Sequence, residues 1–84
     1  MKMNLFKATL RVRNDVGVLA RITTRLRKFR VNIQSLDVAP IPGDERFSDI
    51  HLVIESEKEN IDIPMRKTEQ LIPVVSIEYS KLMH

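Results

Sequence analysis

Leu5-Phe6-Lys7-Ala8-Thr9-Leu10-Arg11-Val12-Arg13-Asn14-Asp15-Val16-Gly17-Val18-Leu19 changes its period partway along, and that change decides the fold. Phe6, Ala8, Leu10 and Val12 alternate with Lys7, Thr9 and Arg11, which is the period of a half-buried strand, β1, over 5–12. Asn14-Asp15-Val16-Gly17 ends the alternation. Beyond it Leu19, Ile22, Leu26 and Phe29 recur at spacings of three and four, with Thr23 on the same side. That stripe predicts an amphipathic helix, α1, over Gly17 to Arg30. Asn14 or Asp15 is placed to cap its first amides, and Arg25, Arg27, Lys28 and Arg30 suit the negative end of its dipole.

Outward from this unit the alternation returns. Asn32 to Ala39 predicts β2, with Leu36 and Val38 on one face and Ser35 and Asp37 on the other. Ile33 is out of phase with Leu36, which points to a bulge or a late start. Pro40-Ile41-Pro42-Gly43-Asp44 is a turn, because proline gives no ladder donor and Gly43 can adopt positive φ. Phe47 to Ser56 predicts β3, a hairpin partner of β2, with Ser48, Ile50, Leu52 and Ile54 inward. Ile61, Met65, Thr68 and Leu71/Ile72 then follow helical spacing. Pro64 is tolerated only in a first turn, so α2 is expected over Ile63 to Ile72 with Asp62 as cap. Pro73 stops it, and Val74 to Tyr79 predicts β4 with Val75, Ile77 and Tyr79 inward.

The order β-α-β-β-α-β with one polar face per strand predicts an α+β, ferredoxin-like domain. Right-handed crossovers give a four-stranded antiparallel sheet, spatial order β4-β1-β3-β2, with both helices on one face. The other face stays open and β2 lies at an edge, ready to pair with a second chain.

At 84 residues the chain is expected to form one domain, residues 1–84 with a core of about 5–79. Apolar residues are 43% and charged residues 30%, which excludes disorder, and the net charge is +3. With no cysteine, neither a disulfide nor a thiolate-ligated metal can staple it. A small core without staples favours a module that works through a partner or an oligomer. The first residues lack a signal-peptide pattern and no run is long enough to span a bilayer, so a cytoplasmic location and no membrane partner are expected.

Catalytic chemistry finds no convergent set. His51, Asp49 and Glu55 share the polar face of β3, but no HxH, HExxH or nearby second histidine supports a metal, and the ordinary reading is a solvated sheet face. Gly17 and Gly43 are too few for a phosphate loop. The fold order matches RNA-recognition domains, yet Phe47 is the only aromatic among Lys7, Thr9, Arg11, Asp49, His51 and Val53 on the open face. Arg21, Arg25 and Lys28 form a stripe at i, i+4 and i+7, which is either a solvated face or a contact for an acidic partner. At the Asn14–Leu19 junction the amides opening α1 suit a carboxylate or phosphate, and Gly17 allows close approach. A plain helix cap explains the same residues, and the junction alone leaves both readings open.

Asn14-x-x-Gly17-Val18-Leu19-Ala20-Arg21-Ile22 resembles the Asp/Asn-x-x-Gly signature of ACT domains, which sense amino acids. Val31-Asn32-Ile33-Gln34-Ser35-Leu36-Asp37-Val38-Ala39-Pro40 is similar to the Asn-Ile-Glu-Ser-Leu-x-Val-Ala-Pro segment of the small regulatory subunit of acetohydroxyacid (acetolactate) synthase. Leu71 to Ile77 resembles that subunit's Leu-Val-Asp-Val-x-x-Val ending, and the likeness covers about residues 5–79. It implies an ACT domain without catalytic residues or a cofactor of its own, at least dimeric. It implies binding to and activation of a catalytic subunit that uses thiamine diphosphate and Mg. It also implies feedback sensing of valine or another branched-chain amino acid, with Asn14, Gly17, Val18 and Leu19 of one copy facing Asn32 and Ile33 of its neighbour. The ligand carboxylate would meet the α1 N-terminus and its ammonium the Asn32 oxygen. A free-standing ACT sensor for another protein and an RNA-binding domain are the alternatives.

The chain departs from the longer members of that family, resembling the short single-domain forms, some of which activate without sensing valine. Arg30-Val31 stands where a Gly-Tyr pair is common, so a residue other than glycine must take the left-handed cap or the helix must end differently. Pro64 shortens α2 relative to the family.

Overall fold

The computed structural model describes residues 2–83. Its elements are β1 (Asn4–Arg13), α1 (Val18–Lys28), β2 (Asn32–Ile41), β3 (Asp44–Ser56), α2 (Asp62–Glu69) and β4 (Val74–Met83). The strands form one sheet in the order β2-β3-β1-β4, and every neighbouring pair is antiparallel. This is the expected α+β, ferredoxin-like arrangement.

The core lies between the sheet and the helices. Phe6, Ala8, Leu10 and Val12 of β1 and Ile50, Leu52 and Ile54 of β3 are buried under Ile22 and Leu26 of α1 and Met65 of α2. Each large side chain removed from water here contributes about 1.5–3 kcal/mol before entropy. The register pairs Leu10 with Ile50 and Ala8 with Leu52, so the alternation on the two central strands falls in phase on the helix side.

Local details depart from the sequence pattern. In α1 it is Val18 that packs against the core with Ile22, Leu26 and Phe29, while Leu19 is 38% exposed. Successive residues are about 100° apart around a helix, so one stripe does not hold both Val18 and Leu19. Neither Asn14 nor Asp15 caps α1: Gly17 occupies the cap position at φ 80° with no side-chain cap bond. At its other end the Val31 amide donates to the Leu26 carbonyl and the Arg30 amide to that of Arg27. This is a Schellman closure with Arg30 at φ 58° where glycine is usual.

Helix α2 ends at Glu69 rather than Ile72, and Ile61 takes the cap position in place of Asp62. Asn60 does the capping work from outside, its side-chain oxygen accepting the Asp62 amide at 2.7 Å. In β4 a register shift opposite Arg11/Val12 turns Val74 into the core and leaves Val75 54% exposed. Ile77 and Tyr79 keep the expected face, opposite Leu10 and Ala8. The phase break in β2 is a register irregularity between Ile33 and Ser35, and Leu36 and Val38 stay about 40% exposed at the sheet edge. β1 also starts earlier than its pattern suggests. Asn4 is fully buried, donating from Nδ2 to the Lys58 carbonyl at 2.9 Å and tying the β3–α2 loop to the sheet.

Candidate functional site

The β1–α1 corner is built from the sheet outward. The β1–β3 ladder runs to the Arg13–Phe47 pair, and the Asn14 amide then donates to the Arg46 carbonyl at 2.9 Å. The Asn14 side chain continues the tie: Nδ2 donates to the Glu45 carbonyl at 2.7 Å, and Oδ1 accepts from the Ser48 hydroxyl at 2.7 Å. Asn14 therefore anchors the corner to the start of β3. Glu45, Arg46 and Ser48 carry no local sequence signal as partners of Asn14; the antiparallel β1–β3 register is what leads to them.

From that anchor the chain makes a tight turn in which the Val18 amide donates to the Asp15 carbonyl at 3.3 Å. The first helical bond runs from the Arg21 amide to the Gly17 carbonyl at 3.1 Å. The Leu19 and Ala20 amides precede it and have no intrahelical acceptor. A Cβ placed on Gly17 would meet nothing within 4 Å, so the glycine answers to its positive φ and borders open space. Leu19 and the fully exposed Val16 flank that space with apolar surface. The arrangement can take a carboxylate beside an aliphatic group.

The other residues of the candidate site lie elsewhere. Asn32 begins β2, exposed on the open sheet face, and its Nδ2 donates to Glu55 Oε1 at 2.7 Å. Its Oδ1 remains for a donor, and the Glu55 carboxylate beside it adds negative charge. Ile33 is half-buried against the core. Asn32 pairs with Glu55, and Glu55 with Leu5 at the far end of β1. From Leu5 to Arg13 the strand rises about 27 Å at about 3.4 Å per residue. Within one chain, then, Asn14, Gly17, Val18 and Leu19 stand together at one end, and Asn32 and Ile33 at the other.

The open sheet face between them is a polar lattice. Arg11 grips Asp49 with two bonds, Nε to Oδ1 at 2.9 Å and Nη2 to Oδ2 at 3.1 Å, which holds the Asp49 carboxyl below its usual range. Thr9 Oγ1 and His51 Nδ1 lie 3.2 Å apart. Phe47 is covered by the Arg46 guanidinium, 5.3 Å from the ring centre. No group of three or more His, Asp or Glu side chains is placed to hold a metal ion among the described residues. Nor is any helix among them long and apolar enough to cross a membrane.

The four-stranded βαββαβ sheet with two helices and a glycine-opened first helix is the ferredoxin-like arrangement found in ACT domains, a regulatory, non-catalytic class. Residues 9–76 match the AHAS small subunit-like ACT domain, and the chain belongs to that family. Among curated proteins none matches the sequence. Solved structures share the fold. The ACT domain of GTP pyrophosphokinase from Chlorobium tepidum is 18% identical with TM-score 0.75, covering 94% of this chain and 100% of that one. A homoserine dehydrogenase from Thiobacillus denitrificans is 23% identical with TM-score 0.78, the match covering 96% of this chain and 18% of the enzyme. A Galdieria sulphuraria protein of unknown function has TM-score 0.83 at 13% identity; the match covers 99% of this chain and 47% of that protein.

Proposed function

We propose that this chain is a regulatory subunit of acetohydroxyacid synthase. It binds and activates a separate catalytic chain that uses thiamine diphosphate and Mg, in branched-chain amino acid synthesis. A branched-chain amino acid such as valine binds between two copies.

The observation that carries this reading, beside the family, is the separation of the two half-sites. Antiparallel pairing of β2 with β2 of a second copy, centred on the strand, sets Asn32 of one copy beside Ile41 of the other. Ile41 pairs with Asp44 across the hairpin, and the next two residues, Glu45 and Arg46, hold Asn14 through their carbonyls. Pairing of this kind would thus bring the Asn32–Ile33 end to the Asn14–Leu19 corner, twice per dimer. The α1 amides would then meet the ligand carboxylate. Asn32 Oδ1, at the strand edge, would meet its ammonium, and Leu19 and Ile33 its branched side chain.

The experiment is reconstitution. Added to the catalytic chain of acetohydroxyacid synthase, this protein raises its turnover, and sedimentation places the two in one complex. No complex and no activation would refute the proposal. Titration calorimetry with valine, leucine and isoleucine tests the effector, and Asn14→Ala weakens whichever is bound. A second reading, a sensor acting on another protein, draws on the GTP pyrophosphokinase and homoserine dehydrogenase that carry the same fold. It predicts amino-acid binding without any effect on the synthase.

A further inference from the structure

From Val16 to Leu36 the chain carries Arg21, Arg25, Arg27, Lys28 and Arg30 and no Asp or Glu. The ion pairs seen among the described residues join Arg11 to Asp49, Arg13 to Asp15, Arg46 to Asp44 and Lys81 to Glu59, and none engages α1. Among the described residues, then, no ion pair engages the cations of this helix. They also border a shaped surface. Ala20, Arg21, Thr24, Arg25, Lys28 and Leu71 line an open groove of about 430 Å3. Arg25 and Lys28 also border a second groove of about 500 Å3 with Phe29, Lys67 and Gln70, so the two run on into one another along α1.

Ala20, Thr24 and Leu71 line the first groove with small or aliphatic side chains, and Arg21, Arg25 and Lys28 add cations at i, i+4 and i+7. Arg25 is fixed in place, its Nη1 donating to the Lys67 carbonyl at 2.7 Å in the last turn of α2. From Ala20 to Phe29, about 14 Å at about 1.5 Å per residue, such a groove matches one face of another helix. Carboxylates at the same spacing would meet Arg21, Arg25 and Lys28, and an aliphatic residue between them would meet Leu71. A second copy of this chain is a poor occupant, because it would set one cationic α1 against another. Single-stranded nucleic acid is also disfavoured: Ala20, Thr24 and Leu71 offer no ring for base stacking, and the nearby Phe29 ring is covered by Lys58 at 5.9 Å.

We propose that the groove along α1 docks an acidic amphipathic helix of the partner protein, gripped by Arg21, Arg25 and Lys28. This inference rests on the regulatory-subunit reading and names the surface that reading uses. It leaves the open sheet face and the β2 edge out of the contact.

The test measures binding of the full chain to the acetohydroxyacid synthase catalytic chain by fluorescence anisotropy. Arg25 is left alone because it also ties the helices together. Arg21→Glu and Lys28→Glu each weaken binding about tenfold, and together about a hundredfold, while rising salt weakens the wild type toward the double variant. Lys7→Glu, on the opposite layer, binds as the wild type does. Equal binding by the double variant and the wild type overturns the docking surface and leaves the regulatory-subunit reading standing. Absence of any wild-type binding overturns that reading and the docking surface with it. A circular-dichroism melt checks that the double variant folds. Should it not fold, Arg21→Gln/Lys28→Gln replaces it, with about a tenfold loss expected and an unchanged affinity refuting the surface.

Discussion

Replacing Arg30 with glycine stabilises this protein, and the size of the gain follows from how α1 ends. Arg30 sits at φ 58° in the Schellman closure, a left-handed conformation that costs an L-residue about 1–2 kcal/mol. Glycine removes that cost but enlarges the unfolded ensemble, returning about 0.4–1 kcal/mol. The substitution also deletes a cation beside the negative end of the helix, worth about 0.3–1 kcal/mol at low salt and screened at high salt. In high salt the net gain is about 0.5–1 kcal/mol, or about 2–8 °C in melting temperature for a domain of this size. Urea unfolding at fixed protein concentration reads it as a higher midpoint with unchanged slope. Arg30→Ala is the control. It loses the same charge, keeps the left-handed strain, and gains nothing. An Arg30→Gly midpoint at or below that of the wild type in high salt would refute the account of this cap.

Gly17→Ala should destabilise by about 1 kcal/mol in the same urea assay, a purely conformational cost because the added Cβ has open space around φ 80°. Asn4→Ala should cost about 1 kcal/mol, the low end for a buried hydrogen-bonding group. It frees the Lys58 carbonyl but also removes the buried, unpartnered Asn4 Oδ1. The Tyr79 hydroxyl donates to Asp62, which lowers the Asp62 pKa from 3.8 and raises that of Tyr79 from 10.0. The Asp62 share of stability is full above its unfolded pKa and fades as pH falls through the lowered folded value. The Tyr79 share is full below its unfolded pKa and fades as pH rises through the raised folded value. Melting temperatures of wild type and Tyr79→Phe should therefore differ most between about pH 4 and pH 10 and converge on both sides; a constant gap would count against the pair.

Strands and helices were legible wherever side chains obey one period. Phe6, Ala8, Leu10 and Val12 declare β1 unaided, and the out-of-phase Ile33 declared its irregularity. The pattern is ambiguous where two neighbouring apolar residues compete for one inward position. Val18 against Leu19 and Val74 against Val75 are settled by the turn and the register shift that precede them, which local sequence does not encode. Caps failed for a related reason: Asn14 is a good cap in isolation, but β3 supplies it with better partners through Glu45 and Ser48. The candidate site was legible only as two separate fragments, since Asn14–Leu19 and Asn32–Ile33 lie at opposite ends of the same sheet.

The edge strand β2 carries a mark at each end. Its ladder is interrupted between Ile33 and Ser35, and Pro40 has no amide to give. Between them, Ser35 to Ala39 presents its outward-facing backbone groups in regular register. A template so brief, pinned at both ends, tolerates few alignments with another strand and makes a poor seed for fibrous growth. The same irregularities that spoil the strand as a pattern thus act as a stencil. They narrow sticking at this edge to few ways of meeting, and they guard a small domain with a bare sheet edge against polymerising through it.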